Sequence, residues 1–486
     1  MPPSHEIAPL LPVLLPALGG VWILVLVAVL RDRNLAYPAA HAMVFLGLSA
    51  ASALFLLAAG FRGEVLEGAI LIDPLTLAFH LIFLLVAALT ILGSVRPLQQ
   101  EKAAHGEFYA LVLFAVSGMT MMAATENLLT IFLGLEILSI SLYVLAGFTR
   151  DQVFAIEGAL KYFLLGAFST GFLLYGIALL YGVTGRIDLR GIAANLAAAS
   201  GRPVDPLLLA GAALLLIGLA FKMAAVPFHF WAPDVYQGAL APVSGFMAAG
   251  TKAAAFATLL RVVTVGLQDP ATKARWVAIL SALALLSMVA ANLVALAQQN
   301  IKRMLAYSSI ANAGYLLLAV AAGGRTGRAP AIVLFYLSAY ALMTIGAFAV
   351  AALVGRSGEA DDGYAITAYA GLSRRRPWLA AAMAIFMLSL TGIPPTGGFM
   401  GKYYIFLSAV DAGMYGLAVV GLLASVVGAF YYLRVIVQMY LREPGGMPDP
   451  GPPTPAEGLA ILIAALGTLA IGLAPARLFD FALRLI

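Results

Sequence analysis

LLTIFLGLEILSISLYVL, residues 128–145, decides the fold. As a helix this stretch is long and apolar enough to enter a bilayer, yet it holds one carboxylate, Glu136, near its middle. The rest of the chain has the same character. Apolar residues make up 63% of the 486 positions and charged residues only 10%, with a mean hydropathy of +0.99. A globular domain carries about 25% charged residues, so this chain cannot dress a water-facing surface of its size. It reads as an integral membrane protein. Soluble enzymes, disordered scaffolds and nucleic-acid binders are excluded, and the net charge of +5 is too diluted to point to a partner. With no cysteine, disulfides, thiolate-held iron–sulfur clusters, Cys-type zinc sites and c-type haem attachment are also excluded.

Backbone polar groups in lipid are satisfied only by helices or closed barrels, and strand-like alternation is absent. The expected fold is therefore all-α and polytopic, with no strands. Polar, Gly and Pro clusters divide the chain into about fourteen spans: 8–30, 37–60, 71–95, 108–124, 127–148, 153–182, 207–232, 239–265, 274–297, 301–323, 329–355, 376–406, 411–441 and 456–476. The start, MPPSHEIAPLLPVLLP, lacks the basic region and small-residue site of a signal peptide, so a retained first span is expected. EPGGMPDPGPPTP, Glu443 to Pro455, is too rich in Pro and Gly for a helix and separates the last span. Loop Lys and Arg residues divide thirteen to eleven between the two sides, with Arg374–Arg376, Arg31, Arg33, Lys302 and Arg356 on the larger side and Arg202 and Arg261 on the other. That bias favours both termini outside.

The remaining four basic residues, Lys161, Lys222, Lys252 and Lys402, fall inside apolar spans, as does Glu136. Helix rise puts Glu136 roughly 14 Å and Lys252 roughly 20 Å into their spans, too deep for easy snorkelling. At roughly 2.5–3.5 kcal/mol each, five such charges cost on the order of 12–17 kcal/mol gross, which rivals the stability of a whole domain. A merely structural ion pair is the bland alternative, but a hydrophobic isostere often serves as well. A proton or ion pathway is the reading that uses the charges.

Two spans are broken near these lysines. In GLAFKMAAVPFHFWAPD (218–234), Pro227 and Pro233 follow Lys222; in LSLTGIPPTGGFMGKYY (388–404), Pro394, Pro395, Gly397 and Gly398 precede Lys402. Paired interruptions in corresponding positions of two halves point to an ion site. Spans four to eight and nine to thirteen each hold five helices with the fourth broken. The resulting division is an N-terminal three-helix segment (1–107), two five-helix repeats (108–266 and 267–441) and a linker with a C-terminal helix (442–486). His229, just beyond Pro227, is a candidate relay or packing residue. Tyr307, Ser308 and Ser309 are candidates to bridge a water chain, although such hydroxyls often bond helix to helix. Glu157 and Lys161 read as an i,i+4 pair, and Asp73 and Asp234 as span-end residues. His5, His41, His80 and His105 lack metal-ligand spacing. Gly401–Lys402 lacks the other residues of a phosphate-binding loop.

Five segments in order resemble the subunit N family of bacterial NADH–quinone oxidoreductase, one of the antiporter-like families of the complex I membrane arm. They are ENLLTIFLGLEILSISLYVLAGF (126–148), EGALKYFLLGAFSTGFLLYG (157–176), FKMAAVPFHFWAPDVYQGALAPVSGFMAAGTKAAAF (221–256), NIKRMLAYSSIANAGYLLL (300–318) and LTGIPPTGGFMGKYYIF (390–406). The resemblance implies fourteen helices with two inverted five-helix repeats, each containing a broken helix. It implies a proton relay in which Glu136 partners Lys222, Lys252 is the central carrier and Lys402 stands on the exit side, with Lys161 and His229 assisting. It also implies no redox cofactor in this chain, with flavin and iron–sulfur clusters in partner subunits. The expected partners are other membrane-arm subunits, neighbouring antiporter-like subunits among them, and the lipid of a bacterial cytoplasmic membrane. Related alternatives are a Mrp-type sodium/proton antiporter subunit and a subunit of a hydrogenase-linked membrane complex. The sequence departs from the family pattern at Ala239–Pro242 and at Asn312, where a histidine is expected. An asparagine carries no proton at neutral pH, so a relay through that position needs another route.

Overall fold

The computed structural model describes residues 4–30, 34–198, 203–355, 361–444 and 450–485. Arg31, Arg33, Arg202, Arg356 and residues 445–449 of the Pro-rich linker lie outside them, as does the side chain of His5. The chain opens with α1 (Ser4–Leu30) and α2 (Ala36–Ala58), then β1 (Gly63–Val65) and β2 (Ile70–Ile72). There follow α3 (Pro74–Leu92), α4 (Val95–Gln100), α5 (Glu107–Ala123), α6 (Leu128–Ala146), α7 (Val153–Thr184) and α8 (Leu189–Ala198). A broken pair, α9 (Pro206–Met223) and α10 (Trp231–Gly238), leads to α11 (Ala241–Phe246), a π-helical turn (Met247–Thr251) and α12 (Lys252–Arg261). The second half runs through α13 (Pro270–Leu296), α14 (Ile301–Thr326), α15 (Ala329–Val354) and α16 (Leu372–Arg375). It ends with a second broken pair, α17 (Pro377–Thr391) and α18 (Gly397–Asp411), then α19 (Tyr415–Leu441), α20 (Pro455–Leu473) and α21 (Pro475–Arg484).

Each of the fourteen expected stretches falls on a helix or a broken helix pair. Among the described residues, twelve helical stretches are long and apolar enough to cross a membrane, and α5 and α17 are shorter apolar helices. The expectation of no strands is overturned. Residues 63–65 and 70–72 form an antiparallel hairpin with Gly63 opposite Ile72, and Leu71 N donates to Ala124 O (2.8 Å), so the ladder caps the end of α5. Three-residue strands leave no alternation long enough to be read in sequence.

Among the described residues, two of the charges assigned to loops are buried. Arg261, counted among loop charges in the sequence, is 5% exposed and donates to Asp73 Oδ1 (2.8 Å), Thr76 Oγ1 (2.7 Å) and Ala123 O (2.7 Å). It ties α12 to the start of α3 and the end of α5. Burial works against ionisation of Asp73, but the Arg261 charge and its hydrogen bonds hold the carboxyl below its usual range. Lys302 is also buried, with Nζ donating to Ala239 O (2.9 Å) and lying 4.1 Å from the Tyr364 ring centroid. In the N-terminal segment His80 is fully enclosed, with Ser49 Oγ and Thr120 Oγ1 each 2.8 Å from a ring nitrogen. Since Ser49 also donates to Pro12 O (3.0 Å), one polar node joins α1, α2, α3 and α5.

The helix that carries Glu136 is held by a backbone crossing. A Cβ at Gly118 would stand 2.5 Å from Leu138 N and 2.6 Å from Gly134 O. Only glycine lets α5 and α6 approach this closely. Gly118→Val is expected to force the pair apart and destabilise the protein by about 1–3 kcal/mol. Thermal unfolding of the purified protein in detergent measures this, and an unchanged midpoint would contradict the crossing.

Candidate functional site: three buried lysines at helix breaks

Lys222 stands on the last turn of α9, which ends at Ala224 in the left-handed region (φ +55°). This conformation turns the chain out of the helix and opens residues 224–230. The break is fixed from two sides, by Val226 N donating to Ser287 Oγ (2.9 Å) and by Trp231 Nε1 donating to Phe221 O (3.1 Å). Lys222 is 3% exposed. Its Nζ donates to Tyr162 Oη at 3.3 Å and sits 5.2 Å and 5.6 Å from the ring centroids of Tyr162 and Tyr143. Tyr162 in turn stacks on Trp231 at 4.4 Å.

Glu136 and Lys222 make no direct ion pair; the carboxylate acts on the ammonium through space. Tyr143, two turns along α6 from Glu136, presents its ring to Lys222. Glu136 Oε1 is buried without a hydrogen-bond partner. Beside Lys222, among Ser169, Thr170, Gly166 and Gly218, is a pocket with about 10 Å³ of water-accessible space, close to what one water needs.

Lys252 is 1% exposed and opens α12 directly after the π-helical turn. Single π turns widen a helix and are frequent at functional sites. The ammonium donates to the backbone oxygen of Ser309 on α14. Thr251 Oγ1 and Ser309 Oγ, both buried beside it in sequence or in space, have no hydrogen-bond partner.

Lys402 is 6% exposed and caps the interrupted helix. Its Nζ donates to Leu390 O (2.8 Å), Thr391 O (2.9 Å) and Ser425 Oγ (2.9 Å), and lies 5.1 Å from the Tyr315 ring centroid. The carbonyls at a helix C-terminus lack intrahelical partners and carry the negative end of the dipole, so the break supplies both the acceptors and the field for a buried cation. Gly392, at φ +90°, makes the turn; a Cβ there would stand 3.0 Å from Lys402 Cδ.

A hydroxyl and amide chain lies between Lys252 and Lys402. Ser308 Oγ is 2.5 Å from Tyr432 Oη, and the rings of Tyr432 and Tyr431 are 4.3 Å apart. Tyr431 Oη donates to Asn292 Oδ1 (2.9 Å), and Asn292 Nδ2 reaches Tyr315 Oη (3.4 Å) under Lys402. Asn312 is bound into the same cluster, donating to Ser308 O (2.9 Å) and accepting from Tyr336 Oη (2.5 Å). Its amide therefore does not leave a polar gap.

Other expected residues stand apart. Lys161 is not buried: its side chain is 42% exposed and pairs with Glu157 (2.6 Å) and Asp234 (2.7 Å). Asp234 also binds Arg303 (2.6 Å), so these groups tie α7 to α10 and α14. His229 lies in the break, half-buried against Phe230 and near the Pro227 carbonyl without a formed hydrogen bond. Tyr307 is half-buried and takes no part in the hydroxyl chain, whereas its neighbour Ser308 does. Tyr143, Tyr162, Asn292, Tyr315, Tyr336, Tyr431, Tyr432 and Ser425 were not singled out in the sequence. Tyrosine is ordinary in an apolar helix, and only packing shows which hydroxyls turn inward.

The family described as NADH:quinone oxidoreductase/Mrp antiporter, TM, matches residues 125–428. NADH-quinone oxidoreductase subunit N of Trichlorobacter lovleyi is 50% identical over 413 residues, 85% of this chain and 83% of that protein. NADH-quinone oxidoreductase subunit N 1 of Solibacter usitatus is 43% identical over 477 residues, 97% of this chain and 95% of that protein. A chain in the structure of respiratory complex I from Thermus thermophilus with bound aureothin has a TM-score of 0.82 and 39% identity, covering 96% of this chain and 98% of that one.

The hydroxyl of Ser425 is one of three acceptors on Lys402. Ser425→Ala is expected to cost about 1.5–3 kcal/mol of stability, the range for a hydrogen bond to a charged group, while Ser425→Thr keeps it. Thermal unfolding of the two variants is the measurement; an alanine variant as stable as the threonine one would remove Ser425 from the site.

Proposed function

The chain belongs to the NADH:quinone oxidoreductase/Mrp antiporter transmembrane family, and on that footing we propose that it is a proton-translocating subunit in the membrane arm of an NADH–quinone oxidoreductase. The observation that carries the proposal is the three enclosed ammonium groups, Lys222, Lys252 and Lys402, each held by hydroxyls or backbone carbonyls at a helix irregularity. Relatives at 43% and 50% identity named as subunit N favour this assembly over a Mrp-type antiporter or a hydrogenase-linked complex.

In the proposed sequence a proton resides on Lys222 while Glu136 is negative. Neutralising or withdrawing Glu136 makes the charged form of Lys222 costlier, because a buried cation has lost its nearby opposite charge. The proton then passes through water to Lys252. From there the hydroxyl and amide chain through Ser308, Tyr432, Tyr431, Asn292 and Tyr315 lines its way to Lys402. Moving one charge across 100 mV takes about 2.3 kcal/mol, which the driving event has to supply. The driving event comes from neighbouring membrane-arm subunits. Flavin and iron–sulfur chemistry belongs to partner subunits, and this chain has no cysteine to hold a cluster. On this reading it lies in a bacterial cytoplasmic membrane with both termini outside.

The proposal includes two inverted repeats, 108–266 and 267–441, between the N-terminal segment (1–107) and the C-terminal helix (442–486). Supporting parallels are local. Asn127 caps α6 and bridges to Asp188 after α7, while Asn300 caps α14 and bridges to Ala365 after α15. Each fourth helix is then broken after a left-handed residue, Ala224 or Gly392.

Glu136→Gln and Lys252→Ala in the assembled complex are expected to abolish or strongly reduce proton pumping while electron transfer to an artificial acceptor persists. Acidification measured in proteoliposomes tests this. Undiminished pumping with intact electron transfer would remove both residues from the mechanism.

A further inference from the structure

A narrow apolar groove of about 450 Å³ lies between α3, α15 and α20, on the side of α15 away from the lysines. Its walls are Leu81 and Leu85 of α3, Leu334 and Leu342 of α15, and Ile471 of α20. Ser338 is the polar residue of the walls, and its hydroxyl is satisfied within its own helix by Leu334 O (2.8 Å). Such a lining makes no hydrogen-bonding demand on an occupant. The volume is within the range of ligand sites, about 300–1,000 Å³.

The dimensions select the occupant. Leu85 and Leu342 stand eleven and thirteen residues from the starts of α3 and α15, or roughly 16 and 20 Å along the helices. Half of a typical hydrocarbon core is about 15 Å. The groove therefore starts at the end of the bundle where α3 and α15 begin and stops near mid-membrane, where Leu342 packs over Gly467. A spanning helix of a neighbouring protein would need the full thickness. At the mouth, Leu478 and Phe481 of the amphipathic α21 form the rim, and Arg477 lines the opening. Arg477 makes no hydrogen bond or ion pair with the described residues of the chain.

We propose that this groove binds one phospholipid of the adjoining leaflet, with an acyl chain along Leu334–Leu342 and the phosphate on Arg477. Guanidinium groups match phosphate oxygens in planar, charge-assisted pairs, and an acyl chain fills a dry slot of one-leaflet depth. The site adjoins the working parts of the protein. Tyr336, on the opposite face of α15, bonds Asn312. A Cβ at Gly472 of α20 would stand 2.1 Å from Pro395 O in the second break. A bound chain thus packs against the two helices that back the hydroxyl chain and the Lys402 turn.

The test uses the purified membrane complex containing the full chain, in nanodiscs carrying phosphatidylglycerol with a photoreactive acyl chain. Labelling is expected on peptides 334–342 and 470–481 above that on the outward face of α19. Ser338→Trp, which fills the slot, is expected to abolish it. Arg477→Glu, a surface change that leaves the core intact, is expected to lose most of it, and Arg477→Lys to retain it. A diacylglycerol with the same photoreactive chain and no phosphate is expected to label weakly. Equal labelling by both probes, labelling unaffected by Ser338→Trp and Arg477→Glu, or cross-linking of the groove to another protein instead of lipid would overturn the assignment.

Discussion

An ammonium group in oil must be given oxygen atoms, and much of this structure follows from that need. Each of the three lysines enclosed deep within the spans meets it differently. Lys222 has a tyrosine hydroxyl and two aromatic faces, Lys252 a backbone carbonyl from another helix, and Lys402 the open end of a helix together with a serine. A continuous helix has few spare carbonyls in its interior, so a chain that keeps cations at this depth has to interrupt or distort its helices. The two breaks and the π-helical turn at Lys252 are those interruptions. The glycines and tightly packed aromatics around them hold the irregular backbone in place.

The same need separates lysines that hold charge for transfer from those that hold structure. Lys161 looks equivalent to Lys222 in sequence, but two carboxylates neutralise it at a half-exposed position. A lysine so paired stays charged and fastens α7 to α10. Lys222, Lys252 and Lys402 have no carboxylate within ion-pair distance. Their cationic form depends on hydroxyl and carbonyl dipoles, and that of Lys222 also on the more distant Glu136, which a change elsewhere can alter. Arg261, by contrast, is bound to Asp73 and serves as a fixed clamp.

The membrane-helix architecture was legible because length and apolarity are one-dimensional quantities. Breaks were legible because Pro227 and Pro394–Pro395 remove donors wherever they stand. Lys222, Lys252 and Lys402, deep within apolar spans, stood out by their cost. Depth along a helix does not reveal which way a side chain points, and this is why Lys161 was grouped with them. Arg261 and Lys302 were assigned to loops because they sit near helix ends, where burial depends on neighbours from distant sequence. The tyrosine and asparagine chain was illegible for a related reason: Asn292, Tyr315 and Tyr431 come from three helices, and no local spacing relates them. Asn312, where the sequence asked for another route for the relay, belongs to a side-chain cluster that the sequence does not display.

The central claim is that a polar, hydrated path joins the enclosed ammonium groups across the bundle. A density map of the assembled complex in lipid, at a resolution that shows ordered waters, tests it most directly. The account predicts waters linking Lys222 to Lys252, and continuous density from Ser308 through Asn292 to Lys402. Dry, closely packed apolar side chains separating Lys222 from Lys252, with no water between them, would contradict it.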